Sequence, residues 1–476
     1  MKQNSYSRSS LITLISVFFF WGFVAASNTV LIGLFKKHFD LQQWQSQLVD
    51  LAFYAAYFFG ALVYFIISVS SGDPLNKIGY KKGLIYGLMV SAVGALGFIP
   101  AAQAQSFGLM LTSLFVVGLG FALQQIVANP YVIALGNPST GAHRVSLAGG
   151  INSFGTTIGP LLLSYAIFGN LTGDKEVALS AVKMPYVILC LAFLLFAFIL
   201  SVSKLPPLTS QEKMSHDMGA LKYPQLIFGM IAIFVYVGVE VTIQSNMSAL
   251  MESKNILGLD HTKTVHYISL YWGSLMIGRW TGAITVFNLS KTTRKILTVI
   301  VPLIAYGVLL GVNYIKFNAT DDLEKMNDLY NYFPFVLILI AGFFMAQEKP
   351  ARTMILFGSM AGIMMIIGLL TDGKTALYSF MSGGLFCSVM WPCIFSLSIA
   401  GLGKYTAQGS SLLIMMILGG ALIPPLQGYL ADQTDIHTSY IVPVFCFAYL
   451  AFYGWKVKSV LKSQGIDYDA QAGSGH

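Results

Sequence analysis

Apolar runs of about 20 residues recur along almost the whole chain, and no other feature constrains the fold as much. A run of that length crosses roughly 30 Å of hydrocarbon, where only a helix or a closed barrel satisfies its own backbone. The runs fall at approximately 11–35, 48–69, 84–102, 107–134, 145–168 and 184–203. After a polar stretch they resume at 225–250, 264–287, 296–316, 332–347, 353–371, 376–400, 408–430 and 440–456. The expected protein is an all-α membrane protein of about fourteen spans, six followed by eight. Only 10% of its residues are charged, against about 25% in soluble domains, so no room remains for a sizeable soluble domain.

The stretch 204–223 holds Pro206, Pro207 and several charges, and reads as a linker. It separates a six-helix bundle, 1–203, from a second bundle, 224–462. The tail 463–476 ends in Gly473-Ser474-Gly475-His476, which reads as a tag remnant. The first run follows Lys2 and Arg8 and contains Val24-Ala25-Ala26, but it is too long for a cleaved signal peptide.

The formal net charge of +8 does not point to nucleic acid, because the basic residues sit in short loops between apolar runs. One set of loops holds Lys77, Lys81, Lys82, Arg144, Lys204, Lys291, Arg294, Lys295, Lys349, Arg352 and Lys404. The other set holds Asp321, Asp322, Glu324, Asp328, Asp432 and Asp435. The excess of Lys and Arg in one set places both termini in the cytoplasm, with Lys36 and Lys37 as the exception. Cys190, Cys387, Cys393 and Cys446 lie in apolar runs without paired spacing, so no metal is expected. With no GxxxxGK[ST], HExxH or CxxC motif, neither an enzyme nor a cofactor is expected.

The two halves show an internal repeat. Asn129-Pro130-Tyr131 answers Trp391-Pro392-Cys393, and Gly155 to Pro160 answers Gly419 to Pro424. The loop Gly72 to Lys82 has its cognate in Gly278-Arg279-Trp280-Thr281-Gly282 and the basic residues beyond it. Alignment on these marks leaves a surplus hairpin at about 296–347. Such repeats build transporters around a midplane site.

The chain resembles the fucose:proton symporter family of the major facilitator superfamily, including its glucose/galactose branch. The resemblance rests on Phe18-Phe19-Phe20-Trp21-Gly22, Asn28, Leu123-Gln124-Gln125, Asn129-Pro130-Tyr131, Asn152-Ser153-Phe154-Gly155, Tyr236-Val237-Gly238 with Glu240, Gly278 to Gly282, and Gly409-Ser410-Ser411. It implies the major facilitator architecture: two six-helix bundles related by a pseudo-two-fold repeat, here with the inserted hairpin. It also implies a conformational latch involving Asp73, Lys77 and Arg279. The family's protonatable Asp and Glu align with Thr29 and Gln125, neither of which titrates near neutrality. A family Gln aligns with Gly149, and Asp50 stands where the family pattern resembles a Gln.

Ionisable side chains at bilayer depth are costly and mark candidate sites. Asp50 and Glu240 are the candidates for cation coupling. Glu240 has a structural alternative, a buried hydrogen bond or a pair with Arg279, and Asp50 has one as a solvated carboxylate near a helix end. Sugar binding needs amides and carboxylates for hydroxyls and an aromatic face for the ring. Gln125, Asn129, Asn152 and Asn28 offer this chemistry in the first half, and Glu240, Gln244, Trp272, Trp391 and Gln427 in the second. Gln125 and Asn129 share one helix face, and Gln124 points elsewhere. The bland reading of each amide is a hydrogen bond joining helices, and that of each tryptophan is packing or an interfacial anchor.

The expected function is uptake of a monosaccharide such as glucose, galactose, mannose or fucose by alternating access. Cation symport is expected, with sodium favoured over the proton. The alternative is proton-coupled efflux of drugs or metabolites. A monomer in the cytoplasmic (inner) membrane of a bacterium is expected, with the sugar and lipid as its partners.

Overall fold

The computed structural model describes residues 8–41, 45, 48–137, 140–169, 177–206, 217–259, 265–287, 289–320 and 322–466, apart from the side chains of Arg8, Thr29, Val265 and Ala319. The predicted tag remnant and half of the predicted linker, 207–216, therefore lie outside the described residues. The first set of helices is α1 (Arg8–Ile15), α2 (Val17–His38), α3 (Leu48–Ser71), α4 (Pro74–Ile78), α5 (Tyr80–Gln103), α6 (Phe107–Ala134), α7 (Gly141–Phe168) and α8 (Lys183–Val202). Then come α9 (Pro224–Ser245), α10 (Met247–Glu252), α11 (Val265–Gly282), α12 (Lys291–Thr320), α13 (Met326–Tyr330), α14 (Phe333–Ala346) and α15 (Pro350–Leu370). The last are α16 (Gly373–Cys387), α17 (Met390–Ser398), α18 (Thr406–Met415), α19 (Gly419–Gln433) and α20 (Ile441–Ser463).

Among the described residues, 13 helices are long and apolar enough to cross a membrane. Each coincides with a predicted span. The remaining predicted span, 264–287, is helix α11, whose 18 residues carry His266 and Arg279 and are less apolar than the other thirteen. Two ionisable side chains within so short a helix lower its apolar character, and both are held by partners described below.

The chain forms two compact units: residues 1–136, 154–223 and 402–416, and residues 137–153, 224–401 and 417–476. The division falls in the predicted linker, but two half-helices are exchanged. The first half of α7 packs in the second unit, and α18 packs in the first, against α3 and α6.

Within the first unit α5 packs lengthwise on α6 and α8; within the second, α15 packs in the same way on α16 and α20. Small residues permit both approaches. A Cβ on Gly120 of α6 would lie 2.5 Å from the Gly87 carbonyl of α5, and one on Gly358 of α15 would lie 2.8 Å from the Ala451 amide of α20. Helix α15 thus takes the third place of the second bundle, which makes α12 and α14 the surplus pair, as the sequence repeat predicts. Helix α12 lies on α11, and α14 lies on α15 and α16.

The inserted pair is tied to α11 and its surroundings at both ends. At one end Asp328 sits 3.1 Å from His266 and 3.0 Å from Lys374. At the other, Glu348 pairs with Arg294 at 2.8 Å, and the Glu348 carbonyl lies 3.2 Å from His143, whose other ring nitrogen is 2.9 Å from the Gly282 carbonyl. Lys36, Lys37 and His38, the exception to the loop charge pattern, occupy the last turn of α2. Cations are favoured there by the negative end of the helix dipole.

Candidate functional site

The repeated proline motif has a direct geometric consequence. Proline lacks an N–H, so the carbonyl four residues before it loses its helical donor. For Pro130 that carbonyl belongs to Ile126, and the Ser410 hydroxyl of α18 donates to it at 2.9 Å. For Pro392 it belongs to Ser388, just where the chain breaks between α16 and α17, and the Arg279 Nε donates to it at 3.3 Å. Equivalent freed carbonyls in the two units are therefore taken by different donors, a serine and an arginine.

In the first unit, Asn28 of α2 donates from Nδ2 to Asp50 Oδ1 of α3 at 3.4 Å. Asn28 is 1% exposed, and its Oδ1 has no hydrogen-bond partner. Two turns further along α3, the Tyr57 hydroxyl accepts from Gln125 Nε2 at 3.2 Å. Asn129 donates back to the Gln125 carbonyl at 3.0 Å, which bears out their shared helix face, and its Oδ1 is buried without a partner. Gln124 does point elsewhere: it accepts from the Trp21 indole at 3.0 Å and donates to Ser91 at 3.0 Å, joining three helices.

In the second unit the Glu240 carboxylate of α9 accepts from the Tyr236 hydroxyl at 2.7 Å and from Arg279 Nη2 at 3.4 Å. Arg279 also donates from Nη1 to Ser153 of α7 at 2.8 Å. The stem of Arg279 runs past Gly149, where a Cβ would lie 3.3 Å from its Cδ. A longer side chain at 149 would take the space that the arginine fills. The Tyr271 hydroxyl donates to the Glu240 backbone carbonyl at 2.7 Å, and the Trp391 ring lies 6.1 Å from that of Tyr236. The structure therefore gathers Glu240, Arg279 and Trp391 around Tyr236. Tyr236 belongs to a motif that carries the family resemblance but was not among the expected site residues, although its spacing of four from Glu240 places both on one helix face.

Gln427 is fully buried, accepting from Thr242 at 2.8 Å and donating to Ser439 at 3.2 Å. Its amide joins helices, the packing alternative open for each amide. Gln244, Trp272 and Asn152 are partly buried in the second unit, and the Trp272 ring contacts that of Tyr271. Asp73 caps α4, accepting from the Leu75 amide at 3.0 Å and from the Tyr64 hydroxyl. Burial pushes its carboxyl above the usual carboxylate range against those two hydrogen bonds. Lys77 reaches the Ser71 carbonyl at 3.4 Å. In this geometry Asp73 and Lys77 order their own loop.

A polytopic helical protein whose few intramembrane ionisable and amide groups gather inside two repeated bundles has the build of a secondary transporter. The family model described as Major Facilitator Superfamily matches residues 11–346. The chain is 34% identical over 460 residues to the glucose/galactose transporter of Brucella abortus biovar 1 (strain 9-941), covering 95% of this chain and 94% of that one. It is 26% identical over 475 residues to the L-fucose-proton symporter of Escherichia coli (strain K12), covering 94% and 93%. Its fold is similar to the crystal structure of the major facilitator transporter FucP in the outward conformation, with TM-score 0.71, 24% identity and coverage of 95% and 99%. The chain belongs to the major facilitator superfamily, a family of transporters, and the resemblance to the fucose:proton symporters and their glucose/galactose branch is borne out.

Proposed function

We propose that this protein takes up a monosaccharide, a hexose of the glucose or galactose kind, across the cytoplasmic membrane of a bacterium by symport with a proton. The observation that carries this reading is the near full-length likeness to a glucose/galactose transporter. The amides and aromatic faces collected in each unit are the chemistry that such a ligand requires. Gln125 and Asn129 in the first unit, and Glu240 and Trp391 in the second, are the groups we assign to the sugar. Alternating access requires that contacts such as Arg279 with Ser153 and Ser410 with Ile126, each joining helices from different sequence halves, break and re-form.

The substitutions at Thr29 and Gln125 favour sodium on sequence grounds, but a full-length relative is named a proton symporter, and the proton is the ion we adopt. Cytoplasmic termini follow from the loop charges, and a cysteine at position 325 should be labelled from outside and one at 293 should not. The test of function is uptake of a labelled hexose panel into proteoliposomes under an imposed proton or sodium gradient. Hexose accumulation driven by acid outside is expected. Export of lipophilic cations with no hexose movement would establish the efflux reading instead.

A further inference from the structure

We propose that Asp50 is the group that takes up and releases the coupling proton, with Asn28 as the amide that accommodates both of its protonation states. The proposal rests on the proton symport reading above and names the site at which it acts.

A carboxylate held at membrane depth needs either a counter-charge or a proton. Glu240 has a counter-charge in Arg279, at 3.4 Å. Asp50 faces an uncharged amide, and no ion pair to it exists among the described residues. Of the helices packed on α3, α6 and α18 carry no charged residue, α2 carries Lys36, Lys37 and His38 in its last turn, and α4 carries only Lys77 beyond the far end of α3. On α3 itself the titratable neighbours toward Asp50 are Tyr54 and Tyr57. Adding a proton is therefore the simplest way for Asp50 to lose its charge.

An amide suits this task because it carries a donor and an acceptor on one carbon. With the carboxylate ionised, Asn28 Nδ2 donates to Asp50 Oδ1, as observed. With the carboxyl protonated, its O–H donates to the Asn28 carbonyl oxygen, which now has no partner although Asn28 is 1% exposed. The observed N to O distance of 3.4 Å is long for an N–H···O bond, whose usual value is about 2.9 Å, so little is lost when the pair reverses. No atom other than the proton is exchanged.

Asp50 shares its face of α3 with a second polar contact. Gln125 is bonded to Tyr57, seven residues beyond Asp50. Positions i and i+7 fall on the same helix face. One face of α3 thus touches Gln125 and Asn28.

The test uses the full chain in proteoliposomes. Wild type should accumulate hexose about tenfold per unit of imposed pH gradient at one proton per sugar. Asp50→Asn should lose all accumulation yet retain sugar counterflow without a gradient, and Asp50→Glu should recover accumulation. A second readout is hexose affinity against pH, measured by thermal shift: wild-type affinity should fall as pH rises, and Asp50→Asn should be flat. Proton-driven accumulation in Asp50→Asn, or retention of the wild-type pH profile, would overturn the proposal, as would accumulation of wild type by sodium alone. Absence of any hexose binding or transport by wild type would instead defeat the functional reading beneath it.

Discussion

The two intramembrane carboxylates of this protein differ in what surrounds them. Glu240 is enclosed by a tyrosine hydroxyl, an arginine and, through that arginine, Ser153 and the Ser388 carbonyl. Asp50 meets one amide. Charge compensation ties the first into the helix packing in this conformation, whereas the second has no counter-charge among the described residues. The same asymmetry recurs at the proline-freed carbonyls, where the second unit uses Arg279 and the first uses the neutral Ser410.

The largest effect that would sharpen this comparison comes from removing the compensating charge. Arg279→Ala leaves Glu240 buried and unpaired, and should destabilise the protein by about 3–5 kcal/mol, read as thermal unfolding in detergent. Adding Glu240→Gln should restore part of the loss. Asp50→Asn, which removes no ion pair, should shift stability little. Equal losses from both single substitutions would erase the distinction between the two carboxylates.

A smaller effect is expected where a neutral donor serves a buried acceptor. Ser410→Ala orphans the Ile126 carbonyl, and Trp21→Phe orphans Gln124 Oε1; each should cost about 1–3 kcal/mol. The smallest effect concerns Asp73, outside the spans. Its carboxyl is raised by burial, so its ionisation opposes folding. The contribution is complete below the unfolded pKa of about 3.9 and is lost as pH rises through the folded value. The stability of Asp73→Asn relative to wild type should therefore increase with pH over that window, and a flat difference would show that the hydrogen bonds from Tyr64 and Leu75 offset the burial.

Much of this was legible in the residues. The apolar runs gave the helices within a few residues, because a span must be long and apolar whatever it touches. The repeat of Asn129-Pro130 and Trp391-Pro392 marked equivalent places and identified the inserted pair. It left unread that the freed carbonyls at 126 and 388 would find partners at 410 and 279, because hydrogen bonds between distant helices leave no spacing in the chain. The pair of Glu240 with Arg279 was one of two readings open for that carboxylate. The engagement of Gln427 by Thr242 and Ser439 was likewise one of two readings open, since a glutamine reads the same facing a cavity or a neighbouring helix.

The sequence by itself determined that the chain lives in a bilayer and which segments are long and apolar enough to cross it. These follow from solvation along a single segment. Only the tertiary structure decided that Asp50 meets an amide while Glu240 meets an arginine, that Gln124 and Gln427 hold helices together, and that the first half of α7 packs in the second unit while α18 packs in the first. Those outcomes depend on which side chains approach within hydrogen-bonding distance after packing, a property of pairs of helices that no single helix encodes.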